Sequence, residues 1–188
     1  MSRSSVILVG VAAVIAIALR VQPNSLLNFT ALGALALLCG AVVRPLWLAV
    51  LIPLCCRAIT DVVLELQTGY GFYGSWAFDY SAYLIICLVA SRISFRGWKA
   101  PLGGLTSAMI FFLISNFGVW AMAGAGEGAY TRDLSGLITC FTLGLPFIKG
   151  TLIGDLVFSS VFFAALHAVE SHAASDATDL AGVERSGA

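Results

Sequence analysis

Charge is what this sequence has least of. Only 11% of its 188 residues are Asp, Glu, Lys or Arg, and the ten basic and ten acidic side chains cancel. Mean hydropathy is +0.96. A soluble domain of this length cannot cover its surface with so few ionised groups. A chain that is 60% hydrophobic suits a lipid surround instead. No basic run is present to hold phosphates, which excludes a nucleic-acid partner. Histidine is nearly absent, with His167 and His172 both near the C-terminal end. The cysteines (Cys39, Cys55, Cys56, Cys87 and Cys140) lie in apolar stretches with no CxxC spacing. Small buried side chains are therefore expected of them, and no metal site. With no GxSxG and no phosphate-binding loop, neither catalytic residues nor a cofactor is expected. We read the chain as a non-enzyme.

What the sequence has in abundance is long apolar runs, at 6–19, 29–43, 46–66, 79–95, 100–123 and 150–170. A spanning helix takes about 20 such residues, so these runs predict an all-α membrane protein with six transmembrane helices. The start, "MSRSSVILVGVAAVIAIALR", has the basic head and apolar core of a signal peptide, but we read it as the first membrane helix. A further run at 134–148, "LSGLITCFTLGLPFI", is interrupted by Gly144 and Pro146. It reads as a short half-helix in the outer loop before the last helix, with a seventh span as the alternative. Residues 1–170 make a single transmembrane domain, and the polar segment 171–188 reads as a disordered cytoplasmic tail.

Basic residues orient the chain. With the N-terminus cytoplasmic, Arg3, Arg44, Arg92, Arg96 and Lys99 fall inside, as the positive-inside rule requires. Arg20, Arg132 and Lys149 fall outside, beside Glu65, Asp79, Glu127 and Asp133. The outer loops are rich in glycine and aromatic residues, including Tyr70, Tyr73, Trp76 and Tyr80. They make either a recognition face or an interfacial aromatic belt.

Polar residues inside the membrane need partners. Arg57 lies ~18 Å along its helix from Pro45, at an insertion cost of roughly 2.5–3.5 kcal/mol. Asp61 is one turn away, so Arg57 forms a structural ion pair or contacts an anion. Thr151, Asp155 and Ser159 form a stripe on the last helix. Asn116 stands in the apolar run "FFLISNFGVWAM" with Trp120 one turn on. Counted along their helices, Asp61, Asn116 and Asp155 share a depth in the outer half. Asn28 and Thr30 cap helix two nearby, and Tyr80 opens helix four. Agreement in depth points to a shared outward-open cavity, with an internal polar network as the alternative. On helix one, Ala12 and Ala16 allow another helix to approach closely. That helix is either one of the chain's own or a partner's.

The stretches "NFTALGALALLCGA", "FFLISNFGVWAM" and "LSGLITCFTLGLPFIKGTLIGDLVFSS" resemble a group of uncharacterised bacterial membrane proteins (DUF6580-like). That group is itself similar to the substrate-binding S component of energy-coupling factor (ECF) transporters. The resemblance implies a multi-pass protein of the bacterial inner membrane that captures a vitamin-like micronutrient from outside. It implies a pocket in the outer half, drawn from Asn28, Thr30, Asp61, Tyr80, Asn116, Trp120, Asp155 and Ser159. The implied partners are a small-molecule solute, the lipid bilayer and an energising module of a transmembrane T subunit and ATPases. Ala12 and Ala16 stand where the T subunit would dock. A second reading, a non-transporting accessory or scaffold subunit of a larger membrane complex, stays open.

The orientation predicts the outcome of reporter fusions. Alkaline phosphatase joined after Asp133 is expected to be active, and joined after Gly97 inactive; the reverse pattern inverts the topology.

Overall fold

The computed structural model describes residues 2–22, 28–69, 71–123 and 130–186, with side chains through 175. Tyr70 and Glu127, singled out above, lie outside these. Six α-helices follow one another: α1 (Arg3–Val21), α2 (Leu32–Val42), α3 (Leu46–Thr68), α4 (Trp76–Arg92), α5 (Ala100–Met122) and α6 (Leu134–Ser186), with a 3-10 turn at Gly97–Lys99 before α5. They alternate in direction. The helix ends at Val21, Thr68, Trp76, Met122 and Leu134 gather at one end, here the loop end, and Arg44, Arg92, Arg96 and Lys99 lie at the other.

Burial is inverted relative to a soluble protein. Arg57, Asp61, Asp79, Ser107 and Asp155 are buried, while Val14, Ile59, Leu113 and Val161 face outward. An apolar exterior around an interior that also holds ionised groups is what a lipid surround stabilises. Four helices are long and apolar enough to cross a membrane: α1, α3, the 97–122 unit containing α5, and α6.

The sequence led us to expect six spans; neither α4, at 17 residues, nor α2 is among these four, and α2 departs furthest. At 11 residues it rises ~16 Å, about half of a hydrocarbon core. It is apolar on every face, every residue from Ala31 to Gly40 is buried, and it touches each of the other five helices. It is the axis of the bundle.

The 134–148 segment also differs from expectation. It is no separate half-helix but the first turns of α6, which runs on without interruption. Gly144 does not break the helix because it is a close-packing position, where a Cβ would overlap the Asn116 amide. Pro146 is tolerated on the exposed face. The helix starts firmly, with Asp133 Oδ1 accepting from the Gly136 N–H at 2.8 Å. That hydrogen bond holds the Asp133 carboxyl below its usual range. At the far end, helix extends through 171–186, where we expected no regular structure. Ala173, Ala174, Ala177 and Ala181 supply the helix propensity.

Ala12 and Ala16 are fully buried against the chain's own core. The expectation that they face a partner is corrected accordingly: they let α1 pack onto its neighbours within the chain. The outer face of α1 is instead Val6, Ile7, Val11 and Val14.

Pro53 lies inside α3 and cannot bond the Ala49 carbonyl one turn back. The buried Cys87 thiol of α4 donates to that oxygen at 3.5 Å and to the Ala36 oxygen of α2 at 3.3 Å. One sulfhydryl thus joins three helices.

Helix packing at Gly33 is tested against a control on the lipid face. A Cβ at Gly33 overlaps the Asp155 carboxylate and Ser107, whereas one at Gly10 meets nothing. Gly33→Ala is expected to lower the thermal unfolding midpoint in detergent, and Gly10→Ala to hold or raise it, by helix propensity worth about 1 kcal/mol.

Candidate functional site

Three polar assemblies are built into the bundle, two toward the loop end and one at its centre. The largest joins α1, α3 and α4. Arg57 Nε donates to Asp61 Oδ2 at 2.8 Å and its Nη2 to Asp79 Oδ2 at 2.9 Å. Arg20 reaches across from α1, pairing with Asp61 Oδ1 and donating from Nε to Thr60 Oγ1 at 2.8 Å. The Tyr80 hydroxyl donates to Asp61 Oδ2 at 2.9 Å, and the Tyr73 hydroxyl bonds Asp79 Oδ2. The Arg57 guanidinium also lies 5.9 and 6.0 Å from the ring centroids of Tyr80 and Tyr83, a cation–π arrangement. Two guanidinium and two carboxylate groups make the assembly neutral, which is how such charges survive out of water.

The second assembly is built on Asp155. Helix α2 begins at Leu32, and Ala31 before it has no capping side chain. Its first amides lie in the dry centre, where an unpaired N–H is costly. Asp155, on α6, accepts from the Ala34 N–H at 3.2 Å through Oδ1 and from Ser107 Oγ at 2.7 Å through Oδ2. A carboxylate from one helix therefore caps another, at the positive end of its dipole. Thr30 adds its own Oγ1 as acceptor for the Leu32 N–H at 3.2 Å. Ser159 lies one turn on in α6, donating to the Ala100 carbonyl at 2.9 Å.

The third is a cavity of about 220 Å³ between α5 and α6. Phe111, Phe112 and Phe147 supply aromatic wall; Asn28, Ser115, Asn116, Tyr130 and Thr151 supply polar atoms. Asn116 Nδ2 donates to the Phe112 carbonyl at 2.8 Å, which fixes the amide's orientation. Its Oδ1 rests against Gly144 and receives no N–H or O–H among the described residues. Asn28 borders the cavity in a left-handed conformation, φ 60°, which asparagine adopts more readily than most residues. Its carbonyl accepts from Thr151 Oγ1 at 3.3 Å.

The sequence-predicted residues thus share neither one depth nor one space: Asp155 lies at Ser107, ~14 Å along α5 from Asn116, and Ser159 reaches the start of α5 at Ala100. Asn28 and Asn116 line the cavity. Asp61, Tyr80 and Arg57 belong to the charge network, while Asp155 and Thr30 hold the start of α2 and Ser159 joins α6 to α5. Trp120 donates from Nε1 to the Thr131 carbonyl at 3.1 Å, tying the end of α5 to the approach to α6. Sequence reasoning missed Arg20, Ser107 and Ser115 as participants. Arg20 had a signal, since Asp61 and Asp79 need two cations and Arg57 is one. Ser115 had none.

The chain belongs to a family of unknown function, DUF6580, whose model matches residues 1–177. No curated protein and no solved structure matches it.

The charge network predicts strong coupling. Asp61→Asn leaves two guanidinium groups with one carboxylate and is expected to cost about 3–5 kcal/mol. Arg20→Gln combined with Asp61→Asn is expected to cost less than the sum of the two singles in a thermal-unfolding cycle; strict additivity would show that Arg20 is not a partner.

Proposed function

We propose that this protein is a membrane-embedded solute-binding subunit, similar to an ECF S component, that takes up a small micronutrient-like molecule in the α5–α6 cavity. The observation that carries the reading is the cavity itself. It is a concave space with polar atoms converging from α5, α6 and the approach to α2, walled by phenylalanines. Apolar walls with few polar groups are the usual make-up of a small-molecule site. At about 220 Å³ it is smaller than the ~300–1,000 Å³ of drug-sized ligand pockets, which suits a compact solute. In this reading the loop end faces outward, the N-terminus is cytoplasmic and the membrane is the bacterial inner membrane. The sequence has no ATPase motif, so energised delivery would come from a T subunit and ATPases. With Ala12 and Ala16 enclosed, such a module would meet the Val6, Ile7, Val11 and Val14 face of α1.

One observation favours the second reading, an accessory or scaffold subunit. Asp61, Asp155 and Arg57 all find their partners within the chain, as helix fasteners do.

Native mass spectrometry separates the two readings. The detergent-purified protein is expected to release a small non-covalent ligand that Gly144→Val, which crowds Asn116, does not retain. Absence of any ligand, together with unchanged uptake of every candidate nutrient in Asn116→Ala cells, would sink the transport reading.

A further inference from the structure

We infer that the α5–α6 cavity selects an uncharged, flat solute that donates a hydrogen bond to Asn116. This inference rests on reading the cavity as the solute site and goes on to name the class of molecule it takes.

Among the described lining residues there is no Asp, Glu, Lys, Arg or His. The nearby ions are occupied elsewhere. Arg20, Arg57, Asp61 and Asp79 neutralise one another, and both Asp155 oxygens accept from α2 and Ser107. A charged solute entering this space would lose its hydration with no counter-charge to replace it. A neutral one meets no such penalty.

Shape and polarity narrow the class further. The Phe111 and Phe112 rings lie on successive positions of α5, and Phe112 also meets Phe141 of α6 edge-on at 5.6 Å. Such rings hold flat, conjugated molecules by stacking and edge contacts. Asn116 Nδ2 donates one of its hydrogens to the Phe112 carbonyl, which fixes which way the amide faces. Its carbonyl oxygen, held against Gly144, is left as an acceptor. The complementary group on the solute is an N–H or O–H donor.

Benzamide, benzoate and benzylammonium are nearly equal in size and differ in charge, and they make the test with the full chain in lipid nanodiscs. Saturation-transfer NMR at neutral pH is expected to show benzamide binding at least tenfold more tightly than either ion. Asn116→Leu is expected to weaken it up to about tenfold, the worth of one hydrogen bond. Gly144→Val is expected to abolish it. Should that variant fail to fold, Ser115→Leu blocks the same wall from a half-buried position. Equal or tighter binding of an ion, still abolished by either block, overturns the class while leaving the cavity as the solute site. Unchanged benzamide binding in Asn116→Leu overturns the hydrogen-bond assignment. If no probe binds, or neither block affects binding, both this inference and the solute-site reading fall.

Discussion

The bond between Asp155 and the start of α2 organises this protein. A short apolar helix at the centre of a bundle brings its unpaired amides into a place without water. Its own preceding residue, Ala31, cannot satisfy them. The carboxylate comes instead from α6, and Ser107 of α5 steadies its second oxygen. That single group sets α6 against α2 and both against α5. The register of α5 on α6 follows, from Ser159 under Ala100 to Gly144 against Asn116, and the cavity is what remains between them. Gly33 belongs to the same arrangement, because any side chain there would occupy the carboxylate's position.

Charge is handled by separation. The buried ions are gathered into a neutral set on one side of the bundle and a helix cap at its centre. The cavity, a short distance away, is left without any among its described lining. Proximity alone would have suggested one mixed site. The hydrogen-bond partners distinguish two structural assemblies from an open space, into which Asn116 Oδ1 brings an acceptor that receives no N–H or O–H among the described residues.

Much of the fold was legible in the sequence, and for a definable reason. Apolar runs and basic residues mark helices and their direction, and the helical rise converts residue number into depth. Asp61 and Asn116 do lie toward the same end, as counted, but Asp155 lies deeper, at the level of Ser107, because α6 begins at Leu134 and not near Lys149. Depth along an axis says nothing about rotation around it, however. Whether Asp61 faced Asn116 depended on how α3 and α5 turn against their neighbours, and that is decided by packing. The same gap explains Ala12 and Ala16, whose spacing signals close approach without saying which helix approaches. For α2, the apolar run 29–43 is already short for a span, and only Leu32–Val42 of it is helical. In the 134–148 stretch, Gly144 looked like a break because the group it packs against, Asn116, lies 28 residues earlier in the chain.

The continuity of α6 gives the molecule a lever. One rod carries the cavity wall at Cys140 and Gly144, the central fulcrum at Asp155 and the contact of Glu170 with Arg96 at the basic end. From Gly144 to Glu170 it measures ~39 Å at the α-helical rise. Pro146 removes one rung of its hydrogen-bond ladder between wall and fulcrum. The rod's compliant point therefore lies beside the cavity, and its stiff arm reaches the basic end of the bundle.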